Sequence, residues 1–257
     1  MLDLLIITGA SKGIGRNIAN NCFNHCKNMI VISSSPLIYN VGYKECNVIP
    51  LQLDLSDYNN VESELYKTVN IIDKISPIKS IGIVLCGAKL GNHGGLLNTN
   101  LNDWDATYKC NVLGNLSVIR GCRKLFTTDI KSRIVFFGGG GAAFGYPEFS
   151  GYSLSKVAVV RAVENLALDF DKIKADASII ALAPGAVATD ILDKVLFHGG
   201  SVRTKTDIKE PTDFVIKFIN DEFNSKKLNG KFLHVRDDIQ TIESQENDDL
   251  CKLRRIQ

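Results

Sequence analysis

Short apolar runs alternate with amphipathic segments along most of the chain, and this alternation limits the folds that it can adopt. The apolar runs predict strands over residues 4–8, 29–33, 48–53, 81–86, 134–137, 178–182 and 232–235. The amphipathic segments predict helices over residues 14–26, 60–75, 103–126, 152–170 and 212–223. Strands and helices that alternate in this way build a parallel sheet with helices on both faces. The sequence therefore predicts an α/β fold, a single-domain, Rossmann-like, doubly wound parallel sheet of about seven strands.

The length of the chain suits one such domain, because 257 residues with 45% hydrophobic content can bury a large core. No internal repeat or low-complexity linker divides the sequence. We expect a Rossmann-like domain over residues 1–240 and a charged C-terminal tail over residues 241–257. Residues 192–209 are polar and contain glycines, which predicts a loop between the sixth strand and the next helix.

Charge and hydropathy argue against several classes of partner. The formal net charge of +2 gives no general attraction to nucleic acid or to a membrane surface. The apolar start of the chain lacks a basic segment and leads at once into glycines, which favours a buried strand over a signal peptide. No apolar stretch approaches the length of a membrane span. We therefore expect a cytoplasmic protein without nucleic-acid or membrane partners.

The seven cysteines are scattered and odd in number, which is typical of reduced thiols. Cys22, His25 and Cys26 could form part of a metal clip. No second pair of ligands follows at a suitable spacing, so we expect no metal site.

A glycine-rich turn, Thr8-Gly9-Ala10-Ser11-Lys12-Gly13-Ile14-Gly15, joins the first predicted strand to the first helix. Glycines allow a tight turn and a close approach of the backbone to a ligand. The start of the following helix favours phosphate through its free N–H groups and its dipole. This strand–turn–helix context predicts a dinucleotide site. The alternative is a tight turn that binds no ligand.

The spacing T-G-x-x-x-G-x-G resembles that of short-chain dehydrogenases/reductases, and four more segments follow in the family's order. They are Asp54-Leu55 after the third strand, Asn111, the Y-x-x-x-K pattern of Tyr152 and Lys156, and the P-G-x-x-x-T pattern from Pro184 to Thr189. The glycines at 138–141 and residues 253–256 are similar to a subgroup found among surface-polysaccharide genes. The resemblance implies an NAD(P)-dependent oxidoreductase that interconverts an alcohol and a carbonyl on a small substrate.

The resemblance also implies roles for particular residues, with Tyr152, Lys156 and Asn111 as the catalytic set. The implied cofactor-binding residues are Gly9, Ser11, Lys12, Gly13, Ile14, Gly15, Ser33, Asp54, Leu55, Lys156, Pro184, Gly185, Val187 and Thr189. Tyr152 and Lys156 are four residues apart and so share a helix face. An ammonium group there is expected to lower the pKa of the phenol, so that it exchanges a proton near neutral pH. The alternative is an ordinary helix start.

The sequence departs from the family pattern at Gly139, where the family has a serine thirteen residues before the tyrosine. Loss of one such donor costs about a hundredfold to a thousandfold in rate. Two functions therefore stay open. The first is redox turnover of a small alcohol or carbonyl, with a sugar or sugar derivative as one class. The second is dinucleotide binding with little or no turnover.

The cofactor is expected to be NADP, with NAD as the alternative. A site that prefers NAD places a carboxylate at the end of the second strand, and here Ser33, Ser34 and Ser35 stand there. Lys12 occupies a position in the turn that is basic in many NADP-using relatives.

The resemblance further implies a homodimer or homotetramer, formed through the helices predicted over 103–126 and 152–170. The second helix has more apolar residues than one buried face requires. Of the remaining histidines, His93, His198 and His234 are expected on the surface or in loops.

Overall fold

Seven parallel strands form the centre of the molecule. The computed structural model describes residues 1–37, 46–202, 204–246 and 249–253. The strands are β1 (Leu2–Thr8), β2 (Cys26–Ser33), β3 (Asn47–Gln52), β4 (Ser80–Leu85), β5 (Lys131–Phe137), β6 (Ala177–Ala183), β7 (Ala186–Val187), β8 (Lys205–Thr206) and β9 (Phe232–His234). The main sheet has the order β3-β2-β1-β4-β5-β6-β9, and the short β7 and β8 pair with each other outside it. The predicted doubly wound parallel sheet is confirmed.

Helices cover both faces of this sheet. They are α1 (Gly13–Asn21), α2 (Tyr58–Ile75), α3 (Leu101–Tyr108), α4 (Asn115–Gly121), α5 (Gly140–Ala143), α6 (Ser150–Lys172), α7 (Asp190–Phe197), α8 (Lys209–Ile219), α9 (Ser225–Leu228) and α10 (Ile239–Ser244). A π-helical turn, Lys109–Gly114, joins α3 to α4. None of the helices in the described residues is both long enough and apolar enough to cross a bilayer.

Successive residues of each central strand enter opposite cores, which explains why the strands are almost continuously apolar. In β1, Leu4 and Ile6 belong to the core beneath α2, α4 and α6. Leu5 and Ile7 belong to the core on the opposite face, beneath α1 and α8. All four side chains are fully buried, so a shift of one residue in the register of β1 would exchange the two cores.

Several boundaries differ from the sequence prediction. The helix predicted over 103–126 is divided by the π-helical turn and ends at Gly121, and the helix predicted over 212–223 is α8, which ends at Ile219. The helix predicted over 14–26 ends at Asn21, and Cys26 already begins β2 after a short 3-10 turn. The loop predicted over 192–209 contains most of α7 and all of β8. Leu192 and Val195 are three residues apart, so they share one face of the helix, and both are buried. The acidic residues in the first turn also favour a helix there. The polar residues that suggested a loop form the outer face of α7.

The C-terminal segment folds back onto the same chain. The backbone N–H of Leu253 donates to Glu164 Oε1 (2.6 Å), and Lys231 Nζ donates to the carbonyl of Leu250 (3.0 Å). The division of the chain at residue 240 stays a prediction. Residues 254–256, part of the subgroup resemblance, lie outside the described residues.

The predicted surplus of apolar surface on α6 is smaller than the sequence indicated. Val160, Val163 and Ala167 are buried in the core, because α6 lies directly on the sheet. The exposed apolar residues of this helix are Leu154, Val157 and Leu168. Association into a homodimer or homotetramer stays a prediction.

Gly114, in the π-helical turn, allows the helix to pack directly on the backbone that follows β3. A Cβ at this position would lie 2.1 Å from the carbonyl oxygen of Leu55 and 2.6 Å from its Cβ. This contact fixes the depth of the turn, and hence the positions of Asn111 and Asn115, which lie on either side of Gly114.

We predict that Gly114→Ala lowers the free energy of unfolding by about 2 kcal/mol, because backbone atoms must shift to admit the methyl group. Gly145→Ala is the matched control, since an added Cβ there meets nothing within 4 Å. Urea denaturation measures both variants. Equal stability of the two variants would contradict the close contact at Gly114.

Candidate active site

The candidate site lies at the carboxyl ends of β1, β4, β5 and β6, where ligands bind in open α/β sheets. The glycine turn, residues 8–15, passes very close to the end of β4. A Cβ on Gly9 would lie 2.9 Å from the Cα of Gly87, and one on Gly15 would lie 2.5 Å from the Gly9 carbonyl oxygen. Gly9 also has a φ of +67°, which favours glycine. The turn therefore presents backbone atoms where side chains would block an approaching ligand.

The start of α1 suits an anionic group. Its first turn has no acidic residue, and Lys12 occupies the N-cap position without a side-chain cap bond. The leading N–H groups and the dipole of a helix favour phosphate. Ser11 is half-buried in the turn, and Ile14 packs against the core beside α1. This cradle fits the pyrophosphate of a dinucleotide.

The glycine turn also meets the segment that follows β6. A Cβ on Gly13 would lie 3.3 Å from the methyl carbon of Thr189, and Gly13 has a φ of +57°. Lys12 Nζ lies 2.5 Å from Asp190 Oδ2, and both side chains are exposed. The Lys12 ammonium holds the pKa of Asp190 below its ordinary value. The two segments therefore form opposite sides of one cleft.

The segment after β6 has the turn that its sequence pattern predicts. Pro184 is half-buried, and Gly185 has a φ of +72°. A Cβ on Gly185 would lie only 2.1 Å from Thr206 Oγ1, so no other residue fits there. Val187 is buried in β7. Thr189 occupies the N-cap position of α7, but its hydroxyl lies near the Val187 carbonyl (3.3 Å) and makes no cap bond. The Thr189 hydroxyl therefore does not cap the helix.

Ser33, Asp54 and Leu55 lie at the other end of the cleft. Ser33 is buried at the end of β2, and its hydroxyl accepts from the N–H of Ser35 (3.1 Å). Asp54 is exposed, accepts from Ser56 (2.9 Å from N, 2.6 Å from Oγ) and lies 3.5 Å from Lys89 Nζ. The hydrogen bonds from Ser56 lower the pKa of Asp54. Leu55 is buried, and its position leaves no room for a side chain at residue 87.

Asn115 connects the end of β1 with the segment after β4, a role that the sequence did not reveal. Its Oδ1 accepts from Thr8 Oγ1 (2.9 Å), and its Nδ2 donates to the Gly87 carbonyl (2.8 Å). The Thr8 hydroxyl in turn accepts from the Gly87 N–H (2.9 Å). This closed, buried set of bonds fixes the floor of the cleft.

Asn111 lies in the π-helical turn, a distortion that is frequent at functional sites. Its Oδ1 accepts from the Lys89 N–H (2.7 Å), while its Nδ2 donates to the Lys89 carbonyl (2.9 Å) and to Ser155 Oγ (2.9 Å). Ser155 Oγ also donates to the Tyr152 carbonyl (2.6 Å). Asn111 therefore ties the loop after β4 to the helix that bears Tyr152. The motif spacing placed Asn111 in the site but gave no indication of Ser155.

Tyr152 and Lys156 lie on one face of α6, with Lys156 Nζ 5.4 Å from the centre of the Tyr152 ring. Lys156 is buried and donates to the Phe137 carbonyl at the end of β5 (2.7 Å). Desolvation lowers the pKa of Lys156 to about 8 and raises the pKa of Tyr152 to about 12. The expected lowering of the tyrosine pKa by the lysine is wrong for this structure, because desolvation raises the pKa of the phenol.

Gly139 stands directly over the tyrosine hydroxyl. A Cβ at this position would lie 3.8 Å from Tyr152 Oη, so the residue occupies the place from which a side chain would reach the tyrosine hydroxyl. Its φ of +143° is rare for residues with a side chain. The nearby serines face elsewhere, since Ser153 Oγ donates to Gly141 O (2.7 Å) and Ser150 Oγ to Pro147 O (3.2 Å). No serine hydroxyl replaces the missing one.

Two of the three remaining histidines lie on the surface, as expected, and the structure brings them together between the loop after β4 and the end of α7. His93 and His198 are exposed and stack with their ring centres 4.2 Å apart. His234 lies beside the turn after β6, 3.5 Å from the position of a Cβ on Gly185. Among the residues that the structure describes, no three histidine, cysteine, aspartate or glutamate side chains are grouped as a metal site requires.

The fold and the site together define a class: a Rossmann-like α/β protein with a phosphate-type cradle and a half-buried tyrosine beside a buried lysine. The family model for short chain dehydrogenases matches residues 3–197. The chain belongs to this family and is an oxidoreductase of it.

Two relatives illustrate the similarity in sequence. A short-chain dehydrogenase/reductase of Armillaria gallica is 27% identical over 199 residues, 73% of this chain and 72% of that protein. The 3-oxoacyl-(acyl-carrier-protein) reductase of Synechocystis sp. is 24% identical over 203 residues, 75% of this chain and 77% of that protein.

Solved structures share the fold at lower identity. A short chain dehydrogenase from Salmonella enterica serovar Typhi has a TM-score of 0.76, with 15% identity, over 92% of this chain and 97% of that chain. ElxO with NADP bound has a TM-score of 0.72, with 22% identity, over 91% and 97% of the two chains.

Proposed function

We propose that the protein interconverts an alcohol and a carbonyl on a small substrate, with NADP as its cofactor. The observation that carries this proposal is the placement of the Tyr152 hydroxyl beneath the open position at Gly139, with the buried Lys156 on the same helix face. A bound nicotinamide dinucleotide would supply or accept the hydride. The glycine turn, Ser33, Asp54, Leu55, Lys156 and the segment from Pro184 to Thr189 would hold it.

Tyr152 is the proton donor in this proposal. A pKa of about 12 keeps the phenol protonated at neutral pH, so it can donate to the oxygen of a carbonyl that is being reduced. The reverse reaction requires the phenolate, which is scarce at neutral pH while the pKa stays this high. The protein's own groups thus favour reduction.

Lys156 and Asn111 position this donor. The bond from Lys156 Nζ to the Phe137 carbonyl fixes α6 against the end of β5. The bonds of Asn111 to Lys89 and Ser155 fix the same helix against the loop after β4. Both residues therefore hold the Tyr152 hydroxyl at a defined depth in the cleft.

A second function is favoured by one observation, the missing side chain at Gly139. A protein that binds a dinucleotide but turns over little or no substrate would keep the cradle and tolerate this loss. The retained Tyr152, Lys156 and Asn111, with their ordered hydrogen bonds, favour the enzyme.

The remaining expectations concern surroundings and partners. We propose a small-molecule substrate, with a sugar or sugar derivative as one class, and a cytoplasmic protein without nucleic-acid or membrane partners. The exposed Leu154, Val157 and Leu168 on α6 support association into a homodimer or homotetramer.

The main test of the enzyme is Tyr152→Phe, measured on a panel of sugars, ketones and acyl substrates with reduced cofactor. We expect the variant to lose turnover by at least about a thousandfold, since it removes the proton donor, while binding reduced cofactor within about threefold of wild type. Tyr108→Phe, on an exposed tyrosine of α3, is the matched control. A wild type that binds cofactor tightly but turns over none of the panel would support the second function.

Cofactor choice is tested by fluorescence titration with NADPH and NADH. We expect NADPH to bind about tenfold more tightly, because no carboxylate at Ser33–Ser35 repels the 2′-phosphate and Lys12 attracts it. Lys12→Ala should reduce this preference, whereas Lys27→Ala, on an exposed lysine at the start of β2, should not. Tighter binding of NADH to the wild type would overturn the proposal for NADP.

Gly139→Ser distinguishes a lost donor from a required glycine. The φ of +143° predicts strain for any side chain, so kcat/KM should fall about tenfold in spite of the added hydroxyl. Gly145→Ser, in open space, should change kcat/KM less than twofold. A clear gain in kcat for Gly139→Ser would show that the missing serine is a defect.

A further inference from the structure

A cavity of about 670 Å³ lies near the tyrosine, between the loop after β4 and the end of α7. Its walls come from the loop after β4, from the residue before α6 and from the outer part of α7, and they include Leu90, His93, Phe149, Lys194 and His198. The ring of Tyr152 packs against the apolar cluster that contains Leu90 and Phe149. Leu90 and Phe149 therefore connect the tyrosine with the wall of this cavity.

The cavity has a cation but no acid in its lining. Among the described residues, no carboxylate lies within 4.0 Å of the Lys194 ammonium. The other lysines of the cleft already have partners: Lys12 binds Asp190, Lys89 lies near Asp54 and Lys156 donates to a backbone carbonyl. Asp190, one helical turn before Lys194, forms its ion pair with Lys12; the Lys194 charge also helps to lower the pKa of Asp190, but the two groups form no ion pair.

The imidazole rings of two histidines also line the cavity. His93 and His198 stack with an interplanar angle of 9°, and both meet the buried Phe149 edge to face, at 73° and 76°. The stack brings together the loop after β4 and the end of α7. No ring nitrogen of either histidine has a hydrogen-bond partner in the described part of the chain. An imidazole carries at least one N–H, which each ring can donate to a ligand.

We infer that this cavity binds an anionic group of the substrate, a carboxylate or a phosphate, through Lys194, His93 and His198. An unpaired ammonium with neighbouring N–H donors and no acid is complementary to such a group. The inference rests on the proposed function, because it places the carbonyl of the same molecule at Tyr152. It narrows the substrate to a carbonyl compound that carries a negative charge on the side away from the dinucleotide cradle.

The test compares charged substrates with their neutral counterparts. One pair is a keto acid and its methyl ester, and a second pair is a keto sugar phosphate and the free keto sugar. For the wild type we expect kcat/KM to be at least about tenfold higher for the charged member of one pair. The pair that shows the preference identifies the anionic group as carboxylate or phosphate.

Lys194→Met should lower kcat/KM for the charged substrate about tenfold or more and leave that for its neutral counterpart within about twofold. His198→Phe should also lower the charged preference, because it keeps an aromatic ring in the stack and removes the N–H donor. Lys172→Met, on an exposed lysine at the end of α6, is the control. Equal use of charged and neutral substrates, or equal losses for both in Lys194→Met, would overturn the inference while leaving the proposed function intact.

A second measurement does not require turnover. In protein saturated with oxidised cofactor, the ring proton resonances of His93 and His198 should shift on addition of the preferred keto acid or sugar phosphate and stay unchanged with its neutral counterpart. If no substrate of the panel is reduced but these shifts occur, the proposed function fails and the anion site stands. Unchanged resonances with both charged compounds would refute the anion site.

Discussion

The site depends on how closely the backbone segments approach one another at the carboxyl edge of the sheet. The turn after β1 touches the end of β4 at Gly9 and Gly87, and the π-helical turn touches the chain after β3 at Gly114. A side chain at any of these positions would separate the segments. Asn115 then fastens them with hydrogen bonds to Thr8 and Gly87. This close approach creates a cleft whose base consists of backbone atoms, and a dinucleotide fits against them.

Burial also shapes the chemistry of Tyr152 and Lys156, since the lysine is buried and the tyrosine is half-buried. Desolvation disfavours the charged form of each group, so the phenol stays protonated and the lysine pKa falls toward neutrality. Gly139 adds no hydroxyl above the phenol, and its open space is available to the substrate oxygen. Under the proposed function, the substrate oxygen and the dinucleotide would meet beside these two groups.

The sequence predicted the sheet well because strand and helix periodicities differ and the strands are buried on both faces. It also brought together Tyr152 and Lys156, since four residues make one turn of a helix. It failed where the outcome depends on contacts between distant segments. The polar residues of 192–209 suggested a loop where the helix α7 lies. The hydrogen bonds of Asn115 depend on the π-helical turn, which has no clear sequence pattern. The stack of His93 on His198 joins residues that are over a hundred positions apart in the chain.

The sequence also failed to predict the direction in which the pKa of Tyr152 shifts. Spacing alone indicated that an ammonium lies near the phenol, but it did not show how much water each group loses. The ammonium is directed to the Phe137 carbonyl, and desolvation decides the protonation state of both groups. The direction of the shift is therefore a property of the packed site rather than of the motif.

The central claim, that Tyr152 and Lys156 form a desolvated pair, is tested most directly by the titration of Lys156. Lysine labelled with carbon-13 at Cε can be followed by NMR, with Lys156→Met identifying the resonance. We predict a pKa of about 8 in the protein without cofactor, so that Lys156 is charged below this pH and neutral above it. A pKa close to the ordinary lysine value of about 10.4 would contradict the account, because it would show that the site is open to water.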